Sequence, residues 1–167
     1  DRAPPASHHL GEAHPTAGQL RVRQTVRSLV AADAPAVAEL EHEARTALRD
    51  QRGGPAHLAE RPAVGEWVAL LTMPGQLVWV ATIDDVVVGY LQLQITATTA
   101  EVLQVYVHPD AREVGFGDWL LEAALAGARL HGCEVLEGTA LPGDRATKNL
   151  YERAGIKARK ITVSVRL

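Results

Sequence analysis

One cysteine, Cys133, stands in 167 residues, so no internal disulfide can hold a secreted scaffold together. No apolar run approaches the ~18 residues that a transmembrane helix needs. The amino end lacks the apolar stretch of a signal peptide, which makes the cytoplasm the expected compartment and a membrane partner unexpected. Net charge is -3, so no basic surface invites nucleic acid. Metal-ligand spacing is missing as well. His8, His9 and His14 lie in a proline- and glycine-containing stretch with no further ligand. His131 and Cys133 have no second pair and read as a helix end and a strand start. Aromatic residues make up only 4% of the chain, and Trp67 and Trp79 are expected in the core.

What remains is an ordinary soluble composition, 47% apolar and 22% charged, in a chain long enough for one domain with a real core. Residues 1–19 show no periodicity and read as a flexible tail, leaving 20–167 as a single domain. A strand is expected over 20–30. Asp33 then precedes Ala34-Pro35, an N-cap and an early helical proline. Val37, Leu40, Ala44 and Leu48 keep helical spacing to about Asp50, where QRGGP (51–55) stops the helix. A weaker helix is expected over 63–72, with Trp67, Leu70 and Leu71 on its apolar side.

Three strands follow, over 76–83, 86–95 and 101–107. The first two are separated only by Asp84-Asp85, which predicts an antiparallel hairpin. A helix from about Gly117 to Leu130 presents Leu120, Leu121, Ala124, Leu125 and Ala128 on one side. A strand at 133–141 should lie parallel to 101–107 through a right-handed crossover. Asp144 caps a short helix that ends at Gly155, and 156–167 alternates as a last strand. The order β-α-α-β-β-β-α-β-α-β describes a mixed α/β fold, its sheet flanked by helices.

The chemistry concentrates in VYVHPDAREVGFGDWLLEAAL, 105–125. A strand hands over to a helix through Arg112-x-x-Gly115-x-Gly117. Unpaired amides and the dipole at a helix start attract phosphate, and glycine lets the backbone come close to it. A Walker A loop is excluded because Asp118-Trp119 follows Gly117, and a dinucleotide fingerprint because Leu120 stands where glycine or alanine is needed. From the motif alone, a turn that merely requires positive φ accounts for the glycines equally well.

This stretch resembles the acyl-CoA-binding motif of the GNAT superfamily, Q/R-x-x-G-x-G/A after a strand. LYERAGI (150–156) is similar to that family's LYEKLGF segment, and the order of elements is similar from 20 to 167. The resemblance implies an acetyltransferase that uses acetyl-CoA as co-substrate, without a metal, on an amine of a small molecule or peptide, as monomer or homodimer. It implies that the backbone of Val105, Tyr106 and Val107 pairs with the pantetheine arm, and that Arg112, Glu113, Val114, Gly115, Phe116, Gly117 and Asp118 hold the pyrophosphate. Tyr151 takes the place of a general acid for the departing thiolate, and Glu101 has the spacing of a general base. Tyr151 is equally suited to packing helix on sheet, and Glu101 to an exposed strand start. Glu113, Val114 and Asp118 depart from the usual basic and small residues of the loop. Asp144 stands where asparagine is frequent. These acids leave a non-catalytic acyl-CoA-binding domain as the alternative.

Overall fold

The computed structural model describes residues 21–163 and 165. The tail at 1–19, with its histidines, lies outside the described residues. Five strands form one sheet in chain order: β1 (Gln24–Ser28), β2 (Gln76–Ile83), β3 (Val86–Thr96), β4 (Thr99–Val107) and β5 (Val135–Gly138). The first four are antiparallel, and β5 joins β4 in parallel. Asp84 and Asp85 both adopt positive φ, 47° and 67°. These are the left-handed values that a two-residue hairpin demands and that aspartate tolerates.

Side chains alternate between two apolar layers, as the pleat requires. Leu91 and Leu93 face α3 (Phe116–Leu130), whose Leu120, Leu121 and Ala124 are buried against them. Val78, Val80 and Tyr90 face α1 (Ala34–Leu48) and a 3-10 turn at Trp67–Leu71. Trp67 packs edge-on against Tyr90, centroids 5.3 Å apart. β3 is therefore covered on both faces, and its Gln92 is buried.

Close packing of α3 on the sheet depends on one glycine. A Cβ built on Gly127 would sit 2.7 Å from Cη2 and Cζ2 of Trp79. Gly127→Ala is therefore expected to destabilise the fold by about 1–3 kcal/mol through overpacking, reduced by up to ~1 kcal/mol of helix propensity. Urea unfolding measures this, and an alanine variant as stable as the parent would show that Trp79 yields freely.

Two expectations are corrected. Residues 51–55 do not only stop α1; Gly53, at φ 83°, turns the chain, and Pro55 opens a further helix, α2 (Gly54–Glu60). Proline at a first turn starts a helix as readily as it ends one. In consequence 63–72 holds only the 3-10 turn, with Trp67 and Leu70 buried but Leu71 exposed. The last strand is not formed over 156–163. Ile161, Val163 and Val165 alternate as a strand would, yet all are exposed. Alternation needs a neighbouring edge before it becomes a strand, and these residues pair with none of the five. Residues 164, 166 and 167 lie outside the described residues. The remaining helix, α4 (Arg145–Arg153), begins as expected: Asp144 accepts from the Thr147 amide at 2.9 Å, and Gly155 ends it at φ 79°.

Candidate active site

β4 and β5 pair only from Thr99↔Val135 to Val102↔Gly138. Beyond that point β5 ends and β4 continues to Val107, leaving a strand edge uncovered. The register of β4 against β3 slips at the same place, so Leu103 has no partner in either neighbouring strand. A cavity of about 970 Å³ opens there. It runs from the start of α3 along 102–107 to α1, α2 and Tyr151.

At one end lies the glycine turn. Gly115 has φ 99° and Glu113 φ 68°, so part of the turn's sequence is dictated by left-handed backbone. Gly117 is not required in either way: its φ is not left-handed, and a Cβ there would meet Leu150 of α4 at 3.4 Å, an ordinary contact. The left-handed backbone does not use up the amides. Among the described residues, the backbone N–H groups of 113–118 reach no protein acceptor. Gly115, Phe116 and Gly117 are buried or half-buried and line the cavity; an amide left without a partner there is rare and is what an anion site requires.

The charged side chains of this turn are largely spoken for. Arg112 stacks over the Tyr106 ring, 5.6 Å from its centroid, and its Nε donates to the Val107 carbonyl at 3.0 Å. That carbonyl keeps a second lone pair. Asp118 pairs with Arg153 Nε at 2.9 Å, so its negative charge is offset by a cation from α4. Phe116 lines the cavity but is also core, edge-on to Trp119 at 5.5 Å. Val114 does not line the cavity.

Tyr151 borders the same space near the point where β4 and β5 part. Burial pushes its phenol up, Asp144 and Glu101 push it further, and Arg61 opposes them. The hydroxyl is therefore protonated across the neutral range. Its placement depends on Gly138, the last residue of β5: a Cβ there would press on Oη and lie 2.7 Å from Cζ. Glycine within a strand signals such a close approach, and this signal was available in CEVLEGTAL.

Glu101 lies on β4, half-buried, with its Oε1 paired to Arg61 Nη2. No described residue reaches its other oxygen by a hydrogen bond. It does not line the cavity itself; Arg61 does. Beneath the acceptor end runs a polar network that sequence reasoning missed. Glu41, only 3% exposed, accepts from the Val64 amide at 3.0 Å, from Trp67 Nε1 at 3.2 Å and from Gln104 Nε2 at 2.9 Å. Tyr90 in turn donates to Gln104 Oε1 at 2.8 Å. His108 holds its own loop, accepting from the Asp110 amide at 3.2 Å. Among the described residues, no three His, Cys, Asp or Glu side chains cluster as metal ligands.

Comparison with known proteins agrees with this geometry. A family model described as an acetyltransferase (GNAT) domain matches residues 74–156, which contain the strand–turn–helix, β5 and Tyr151. No curated protein sequence matches the chain significantly. Solved structures do. An aminoglycoside N-acetyltransferase, AAC(6')-Iy, in complex with a CoA-linked bisubstrate analogue, is 16% identical with a TM-score of 0.66, over 87% of this chain and 98% of that one. The BH1408 protein from Bacillus halodurans is 18% identical, TM-score 0.68, over 86% and 99%. A ribosomal-protein-alanine N-acetyltransferase from Brucella melitensis biovar Abortus 2308 is 21% identical, TM-score 0.64, over 86% and 99%. At such identities the structures speak for the fold; the matched model shows that the chain carries a GNAT acetyltransferase domain over residues 74–156.

Proposed function

We propose that the chain moves an acetyl group from acetyl-CoA to an amine of a small molecule or peptide by direct attack in a ternary complex. The observation that carries this reading is the continuity of one cavity. It joins unpaired amides at the start of α3, a free edge of β4 and the hydroxyl of Tyr151. The residues fit the co-substrate: amides and a helix dipole for a diphosphate, and a bare strand edge for an amide-bearing arm. Acetyl-CoA supplies the activated acyl thioester.

Within that frame, the amides of 113–118 bind the diphosphate, and the backbone of Val105, Tyr106 and Val107 orients the arm. The unpaired backbone at Leu103 offers a donor where negative charge develops on the acyl oxygen. Glu101 accepts a proton from the acceptor's ammonium, through water, at the oxygen that Arg61 leaves open. An alkyl ammonium titrates near 10.4, so this proton must be removed before attack. Tyr151 hydrogen-bonds the departing sulfur. A C–N bond forms and the C–S bond breaks, and the nitrogen, starting as an ammonium, loses two protons: one to Glu101 and on to solvent before attack, and one that ends on the sulfur as the amide forms. The enzyme works in the cytoplasm, as monomer or homodimer, without nucleic acid.

A thermal-shift titration with acetyl-CoA, followed by thiol release over an amine panel, tests this. Stabilisation without turnover on any amine would favour a non-catalytic acyl-CoA-binding domain. The placement of the diphosphate has its own test. Glu113 is exposed in the turn, and a like charge about 6 Å from a phosphate costs roughly 0.7 kcal/mol in water. Glu113→Arg should tighten acetyl-CoA binding about three- to tenfold at low salt, with the gain shrinking as salt rises. An unchanged dissociation constant at low salt would move the diphosphate elsewhere.

A further inference from the structure

The end of the cavity opposite the glycine turn is built by α1, α2 and the segment that follows them. Its charged lining is Arg45, His57, Glu60 and Arg61. Arg61 is already matched by Glu101. Glu60 is exposed and within 4 Å of neither arginine. Arg45 differs from both. It is half-buried, and among the described residues it has no carboxylate within ion-pair distance. One N–H, on Nη1, donates to the Arg61 carbonyl at 2.7 Å, which fixes the guanidinium against the wall. Its other donors keep their hydrogen-bonding capacity. A half-buried charge without a counter-ion is unfavourable, and a guanidinium held in place is shaped to take a carboxylate side-on. His57 lies beside it; burial first, then Arg61 and Arg45, lower its basicity against the opposing pull of Glu60. It is therefore a neutral hydrogen-bonding group at neutral pH and adds no second fixed charge.

We infer that the acceptor is a small amine that also carries a carboxylate, an amino acid or short peptide, whose carboxylate is held by Arg45 while its amine faces Tyr151. This deepens the acetyltransferase reading and rests on it. The transfer step is unchanged: the amine nitrogen gains the acyl carbon, the C–S bond breaks, and the proton lost by nitrogen as the amide forms ends on sulfur. The inference separates this chain from an acceptor class seen among its structural neighbours, the aminoglycosides. A polycation without a carboxylate would set ammonium groups against Arg45 and leave that charge unmatched.

The test uses the full chain with acetyl-CoA and a thiol-release assay. Acceptors are presented in matched pairs: each of the common amino acids and a set of dipeptides, as free acid and as C-terminal carboxamide. Spermidine and kanamycin represent polycations. The expected result is at least one free acid that exceeds its amide in kcat/KM by about ten- to a hundredfold, the range of a charge-assisted hydrogen bond. Arg45→Gln should erase that advantage, so that the free acid and its amide differ by less than about twofold in kcat/KM. The acid-to-amide comparison in the parent protein stands even where the variant folds poorly. Acids that never exceed their amides, or polycations preferred over all acids, overturn the inference. Thermal shift with acetyl-CoA alone tells the two failures apart. Stabilisation with no acid preference sinks the acceptor class only, and no stabilisation sinks the transferase reading with it.

Discussion

Tyr151→Phe is expected to lower turnover about 10²–10⁴-fold, the usual weight of a positioned acid, while acetyl-CoA affinity stays within about a factor of two. The substitution is clean. Tyr151 is buried, at 6% exposure, but its hydroxyl has no hydrogen-bond partner among the described residues. Phenylalanine therefore keeps the packing and leaves no partner stranded. Burial holds the phenol above its ordinary value near 10, so it stays protonated wherever the enzyme works. A phenol that weak does not surrender its proton outright to a thiolate near 8.5. It stabilises the departing sulfur by a hydrogen bond, and the proton released from nitrogen goes to the sulfur as the thiol forms. The pH profile supplies a second readout. The rise of kcat/KM with pH is set by deprotonation of the acceptor, so parent and variant should rise in parallel at different heights. Equal activity at every pH would leave Tyr151 only its packing role.

The residues that could be read in advance share a property: their chemistry is local. Asp84-Asp85 forces a hairpin, Asp144 caps the helix after it, and Gly115 takes the left-handed φ that starts α3. Each depends on backbone geometry within a few positions. Gly53-Gly54-Pro55 is local too, but its signal has two meanings, and only packing decides that a helix begins there. The exposed Ile161, Val163 and Val165 make the opposite case. Their alternation is complete, but a strand also needs an edge to join.

The wall facing the acceptor was hidden for a different reason. Arg61 and Glu101 are 40 residues apart, and Glu41 and Gln104 are 63 apart. No spacing rule links such pairs. The strand carrying Glu101 and Gln104 was legible, and so was the helix carrying Glu41. What could not be read is that the slip of register at Leu103 sets Glu101 and Gln104, three apart in sequence, opposite Gln94 and Gln92, only two apart on β3, and so on one face of the sheet. One of them stands beside Arg61 and the other over the buried carboxylate.

That carboxylate should carry a large share of the fold's stability. Glu41→Ala is expected to destabilise the protein by about 3–5 kcal/mol, against a total of roughly 5–15 kcal/mol for an ordinary domain. Three donors depend on it: the Val64 amide and Gln104 Nε2 at Oε1, and Trp67 Nε1 at Oε2. Each stranded donor costs about 1–3 kcal/mol where water cannot reach it. Glu41→Gln is the graded control. Its carbonyl can serve the two donors at Oε1, but its amide then confronts the indole N–H, donor against donor. That variant should lose about 1–3 kcal/mol, and the order parent, glutamine, alanine is the result to look for in urea unfolding. Function should follow stability only in part. Gln104 and Val64 line the acceptor end while the glycine turn does not touch Glu41, so Glu41→Gln should raise the acceptor KM and leave acetyl-CoA affinity unchanged. An alanine variant within about 0.5 kcal/mol of the parent would mean that water enters and satisfies all three donors, and that the floor of the acceptor site is wet rather than sealed.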